Sequence, residues 1–216
     1  MQRLVLFDLD DTLIDRRRAL DASVARFASR HGLTPDGHAQ VLARLGQRAS
    51  VSDFAVIREL HGLAVPAQEL WHDYLSDMAA LARCTAGVLD GLDELKGRGW
   101  RVGIATNGSA DIQRAKLGAT GIARRVHAVC VSSEVGVRKP DPRLFSAAAE
   151  LCGAVPGDGG WMVGDDAAKD IAGGRAAGLA TLWVGDPRRW PTPLPAPDRT
   201  APTALRAIRL LLDLTA

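Results

Sequence analysis

Cysteine is scarce: Cys84, Cys130 and Cys152 are the three in the chain. An odd number, far apart and without a C-x-x-C pair, suits neither a disulfide framework nor a zinc site. Buried spectator thiols in a reducing compartment, and so a cytoplasmic protein, are the expectation. Long apolar runs are missing as well. No stretch approaches the ~20 residues that cross a bilayer. The first apolar run is interrupted by Asp8, so a signal peptide is not expected there. Nor is there a long basic stripe. The net charge is +2, and the Arg16-Arg17-Arg18, Arg124-Arg125, Arg138-Lys139 and Arg188-Arg189 clusters are short. They read as solvated helix faces, so neither a nucleic-acid polymer nor a membrane is an expected partner. Internal repeats and low-complexity tracts are absent too.

What is present is material for a sizeable core: 216 residues, 47% of them hydrophobic. Five apolar runs have strand length and are bounded by turn residues. They are LVLFDL (4–9), RVGIAT (101–106), HAVCVSS (127–133), WMVG (161–164) and LATLWVG (179–185). Continuous apolar character is that of parallel strands buried on both faces. Helical stretches alternate with the later runs: 110–121, 141–153 with Asp141 as N-cap and Pro142 at the first helical position, 167–178, and 201–214. The alternation predicts an α/β fold, a parallel sheet with helices on both faces.

The interval from Asp10 to Arg101 is about three times the ~30 residues of a strand–helix–strand unit. The surplus is helical. Leu20, Val24 and Phe27 share one face. Pro35 opens a helix with Val41, Leu42 and Leu45. Ser52 can cap another carrying Val56, Ile57 and Leu60, and Pro66 opens one with Leu70, Tyr74, Met78 and Leu81. Four such helices bury their stripes together as a small bundle. The expected organisation is a core of residues 1–14 and 85–216 with a helical cap, 15–84, inserted after the first strand. The Pro-rich stretch 186–202 reads as an extended surface connection.

Polar residues fall at the strand ends, where ligands of open α/β sheets bind. The first strand leads into Asp8, Asp10, Asp11 and Thr12; the second ends in Thr106, Asn107 and Gly108. Lys139 follows the third, and Asp165, Asp166 and Asp170 follow the fourth. Asp8 and Asp10 lie about 7 Å apart along one strand face. With Asp165 added, the repulsion calls for a hard divalent cation, and Mg²⁺ favours a few carboxylates plus a substrate phosphate oxygen. Mg²⁺, Lys139, a hydroxyl and an amide together make a site for a phosphoryl group. One carboxylate could attack phosphorus while another, shielded from the cation, carries a proton. Each piece alone is more often a turn or a cap; the set of them, in order at strand ends, points to a site.

With these residues in place the sequence resembles the haloacid dehalogenase-like superfamily, in particular its phosphatases. Its D-x-D-x-T motif is matched by Asp8, Asp10 and Thr12. Its Ser/Thr motif is matched by Thr106, its Lys motif by Lys139-Pro140, and its Gly-Asp motif by Gly164-Asp165 with Asp166 or Asp170. Asp11 stands where many members carry Gly. The resemblance implies a Rossmann-like core with a helical cap. It implies Asp8 as nucleophile forming an aspartyl-phosphate, and Asp10 as general acid, then base. Thr106, Asn107 and Lys139 would hold phosphate oxygens. Mg²⁺ would be bound by Asp8, the Asp10 carbonyl and Asp165, with Asp170, Thr12 and Asp166 behind them. Dehalogenating members lack the second aspartate, so Asp10 favours a phosphatase.

The expected function is hydrolysis of a small phosphorylated metabolite, a nucleoside monophosphate or a sugar or sugar-acid phosphate, by a monomer or homodimer. A phosphosugar mutase would use the same intermediate. A phospho-acceptor signalling domain is disfavoured by the large insertion, and a silent binding protein by the complete motifs. Arg16, Arg17, Arg18, Trp71, His72 and Tyr74 are cap residues that could touch a substrate, though packing or solvent is the commoner fate of such side chains. His31, His38, His61 and His127 have no metal spacing.

Overall fold

The computed structural model describes residues 2–46, 49–191 and 193–214. Its strands are β1 (Leu4–Phe7), β2 (Arg101–Thr106), β3 (Ala128–Val131), β4 (Trp161–Gly164), β5 (Ala180–Val184) and β6 (Arg199–Ala201). All are parallel, in the order β3-β2-β1-β4-β5-β6. Alternation of side chains divides the core in two. Val5, Phe7, Val102, Ile104 and Val163 point into one cluster. Leu4, Leu6, Ala105 and Met162 point into the other.

Helices cover both faces. On the first side, α5 (Ala86–Gly97) and α10 (Ala204–Asp213) contribute Leu92, Leu95, Ile208 and Leu211. On the second, α8 (Pro142–Leu151) contributes Leu144, Phe145 and Ala148. This is the α/β, Rossmann-like architecture expected from the sequence. The order reverses between β1 and β4, the point at which such sheets open a crevice beyond their carboxyl ends.

Between β1 and β2 the chain forms α1 (Arg16–Arg30), α2 (Pro35–Leu45), α3 (Val51–Leu60) and α4 (Ala67–Leu81). Asp15 and Thr34 cap the first two, accepting from the Arg18 and Gly37 N–H groups. These helices bury Leu20, Val24, Phe27, Val41, Leu45, Phe54, Ile57, Leu70, Trp71, Tyr74 and Met78 in a cluster of their own. Against it packs Ile112 of α6 (Ala110–Thr120), the helix that follows β2.

Three local expectations change. Ser52 lies inside α3, and Ser50 precedes the helix, its hydroxyl 2.6 Å from the Asp53 carboxylate. The Pro-rich stretch carries β6, which pairs with Leu182, Trp183 and Val184. The stretch after β4 starts as a wide π-helical turn, Ala167–Ala172, before α9 (Gly173–Ala176). A further short helix, α7 (Ser132–Val135), leads out of β3.

Candidate active site

Four strand ends deliver the chemistry. Asp8 follows β1, its N–H bonded to the Val163 carbonyl of the adjacent β4 (2.9 Å), which sets Asp8 beside the loop that carries Asp165. Thr106 is the last residue of β2 and is buried. Beyond β3, Lys139 is clamped by Asn107, whose Oδ1 accepts from the Lys139 N–H (2.9 Å) while its Nδ2 donates to the Lys139 carbonyl (3.0 Å). Asp170 is carried inward by the π-helical turn and is fully buried. It fits because residue 164 is glycine: a Cβ there would stand 2.6 Å from the Asp170 Cβ.

Lys139 sits between two of these acids, its Nζ 2.5 Å from Asp8 Oδ1 and 2.7 Å from Asp170 Oδ1. Asp8, Asp165 and Asp170 each offer an oxygen within 4.8 Å of the others. With all three ionised, three carboxylates against one ammonium leave an excess of two negative charges. Burial pushes the Asp8 carboxyl up to about 8; Lys139 opposes this and Asp170 adds to it. Burial and Asp170 push Asp165 up to about 6, against the pull of the Thr12 hydroxyl, which donates to Asp165 Oδ1 at 3.2 Å. Burial lowers Lys139, but Asp170 and Asp8 outweigh it and hold the ammonium protonated. An all-oxygen donor set of three carboxylates, with one ammonium among them, suits a hard divalent cation such as Mg²⁺.

Asp10 stands apart from this trio. Lys116 Nζ of α6 donates to both its oxygens, at 2.6 and 2.8 Å, and Gln113 Nε2 donates to Oδ2 at 3.1 Å. Gln113 also donates to Thr106 Oγ1 at 2.6 Å. Burial lowers the Lys116 pKa, partly offset by Asp10. The strand-end motifs supply one lysine, Lys139, and include neither of these two α6 residues. Their signal was there: Gln113, Lys116 and Leu117 follow helical spacing on the buried face, and two of those three positions are polar.

Asp8, Asp10, Thr106, Asn107, Lys139, Asp165, Asp166 and Asp170 all line one cavity of about 480 Å³. Thr12 reaches it only through Asp165. Asp166 caps the π turn through the Ala168 and Lys169 N–H groups and pairs with the Lys169 ammonium. Of the cap candidates, Arg16 enters the cavity while donating to the Leu45 and Gly46 carbonyls. Tyr74 borders a side chamber with Arg16, Ile112 and Arg138. Trp71 is packing, stacked on Tyr74 and bonded to Asp111 Oδ2 at 3.2 Å. Arg17, Arg18 and His72 face solvent.

Such a sheet, with acids and a lysine at the carboxyl edge of its switch point, defines an α/β enzyme core. The family model for haloacid dehalogenase-like hydrolases matches residues 2–178, and the chain belongs to that family. It is 42% identical over 107 residues to a phosphoserine phosphatase of Thermus thermophilus, a match covering 50% of this chain and 43% of that protein's length. It is 31% identical to a glyceraldehyde 3-phosphate phosphatase of Methanopyrus kandleri, covering 85% of this chain and 84% of the relative. A 2-haloacid dehalogenase structure from Pseudomonas syringae shares the fold over 100% of both chains, with a TM-score of 0.75 at 24% identity. Among the described residues no helix is long and apolar enough to cross a membrane.

Proposed function

We propose that the protein is a Mg²⁺-dependent phosphomonoesterase acting on a small phosphorylated metabolite through an aspartyl-phosphate on Asp8. The observation that carries this reading is the pairing of Asp8 with Lys139 at 2.5 Å while a second acid, Asp10, lines the same cavity under separate control. The fold alone decides nothing between phosphatase and dehalogenase, because dehalogenases share it. Asp10 favours the phosphatase, since halide is a leaving group that needs no proton and an ester oxygen does. The phosphoserine and glyceraldehyde 3-phosphate phosphatases among its relatives support small phosphate esters as substrates.

Asp8, Asp165 and Asp170 would hold the cation. When bound, it supplies the positive charge that keeps Asp8 ionised and offsets charge on the phosphoryl group. The Asp8 carboxylate attacks phosphorus, forming an acyl-phosphate bond as the ester P–O bond breaks. Asp10 gives its proton to the departing oxygen, then takes one from the water that attacks the same phosphorus, so that inorganic phosphate leaves and Asp8 is restored. Lys139, the Thr106 hydroxyl and Asn107 orient the phosphoryl oxygens. The test is a panel of phosphate esters with Mg²⁺, ranked by kcat/KM, with product analysis. Release of inorganic phosphate that is lost in Asp8→Asn and in EDTA is expected. Turnover that survives the Asp8 substitution overturns the reading, and isomerisation without phosphate release would make the protein a mutase.

A further inference from the structure

Lys116 is the second buried ammonium near the cavity, only 2% exposed and away from the carboxylate trio. Its charge meets Asp10 alone among the acids within ion-pair distance. Burying a lysine is costly, and replacing a buried ion pair with apolar side chains is often neutral or stabilising. Packing therefore gives no reason for a lysine at this core-facing position of α6. Geometry does. The ammonium spans both Asp10 oxygens, and the Gln113 amide, one turn earlier on the helix, adds a third bond. These bonds fix both the direction and the rotation of the carboxylate. The same Gln113 nitrogen donates to Thr106 Oγ1, so one amide ties Asp10 to the hydroxyl at the end of β2. Because Thr106 accepts there, its own hydrogen is left for another oxygen.

We propose that Lys116, supported by Gln113, is a positioning residue that aims the Asp10 carboxyl at the leaving-group oxygen. This rests on the phosphatase reading above. It assigns a role to α6 that none of the four sequence motifs includes. The same helix is anchored one turn earlier, where Asp111 bonds to Trp71 and Ile112 packs against the α1–α4 cluster.

The experiment compares two esters by kcat/KM, which reports only the steps up to departure of the leaving group. An aryl ester, p-nitrophenyl phosphate, departs without a proton; an alkyl ester, such as glycerol phosphate, needs one. In Lys116→Met the loss on the alkyl ester should exceed the loss on the aryl ester by about tenfold or more, and Lys116→Arg should recover part of that difference. In an Asp10→Asn background, Lys116→Met should cost nothing further, because the lysine acts through Asp10. Equal losses on both esters, or a full additional loss in the double variant, would overturn the assignment. Should Lys116→Met not fold, Lys116→Gln and the double variant, which removes both charges, carry the same comparison. A wild-type protein that hydrolyses neither ester with Mg²⁺ would instead refute the phosphatase reading, and this assignment with it.

Discussion

Asp8 and Asp10 are two residues apart in sequence, yet each has its own lysine: Lys139 for the first, Lys116 for the second. On the function proposed above, that separation would let one acid serve as nucleophile while the other handles protons. Gly164 matters at the same scale. A methyl group there would fall on the Asp170 carboxyl, so Gly164→Ala must displace Asp170 or strain the end of β4. The expected cost is about 1 to 3 kcal/mol, the usual range for overpacking. Mg²⁺ affinity should fall as well. Urea unfolding and a calorimetric Mg²⁺ titration measure both, and a variant with unchanged stability and affinity would show that Asp170 has room. Asp11 adopts φ 59°, in the left-handed region that favours glycine. The site accommodates it because its N–H donates to the Ile14 carbonyl and its carboxylate accepts the Arg17 N–H. Aspartate is among the side chains that tolerate this region.

At the scale of elements, legibility followed signal strength. Buried parallel strands announce themselves as apolar runs, and helices α2 and α8 by the prolines that open them and their apolar spacing. β6 did not, since Arg199, Thr200 and Ala201 make a three-residue edge strand amid prolines with no run to detect. The π turn was illegible for another reason. Its composition is that of an α-helix, and the partner that holds Asp170 inward lies far away in sequence: its Oδ1 meets the Lys139 ammonium at 2.7 Å, while its Oδ2 accepts the Asp166 N–H at 3.0 Å. Lys139 could be found because it follows a strand, whereas Lys116 sits mid-helix, where a lysine is ordinarily solvated. The junction between α4 and α6 can be tested directly. Asp111 accepts the Trp71 indole N–H and also lies in the first turn of α6. Asp111→Ala should destabilise the protein by about 1 to 2 kcal/mol in urea unfolding. Asp111→Asn, which keeps an acceptor, should retain more than half of that. Equal losses in the two variants would deny the bond its role.

For the whole molecule, the proposed cation site on the carboxylate trio predicts a stability that depends jointly on pH and cation. Asp8 and Asp165 rise from the ordinary 3.8 to about 8 and about 6, chiefly through burial, with Asp170 adding to both. A carboxyl whose pKa is higher folded than unfolded takes up protons on folding. In the metal-free protein the contribution of these two groups is therefore greatest below the unfolded pKa and is lost as pH rises from about 4 toward 8. A divalent cation bound only by the folded state acts in the opposite sense, and more strongly as the acids ionise. In EDTA the unfolding midpoint should fall between pH 5 and pH 8. Mg²⁺ at a hundredfold excess over its Kd should restore about 2.7 kcal/mol at pH 8, or about 5 to 10 °C in a chain of this size. At pH 5 the gain should be smaller. Asp8→Asn, which removes the most strongly raised group, should flatten the metal-free slope and weaken the response to Mg²⁺ together. Thermal melts at three pH values, with and without the cation, decide it. Curves that coincide with and without Mg²⁺ at pH 8 would mean that these three acids do not form a cation site, and the role given to the metal in catalysis would go with it.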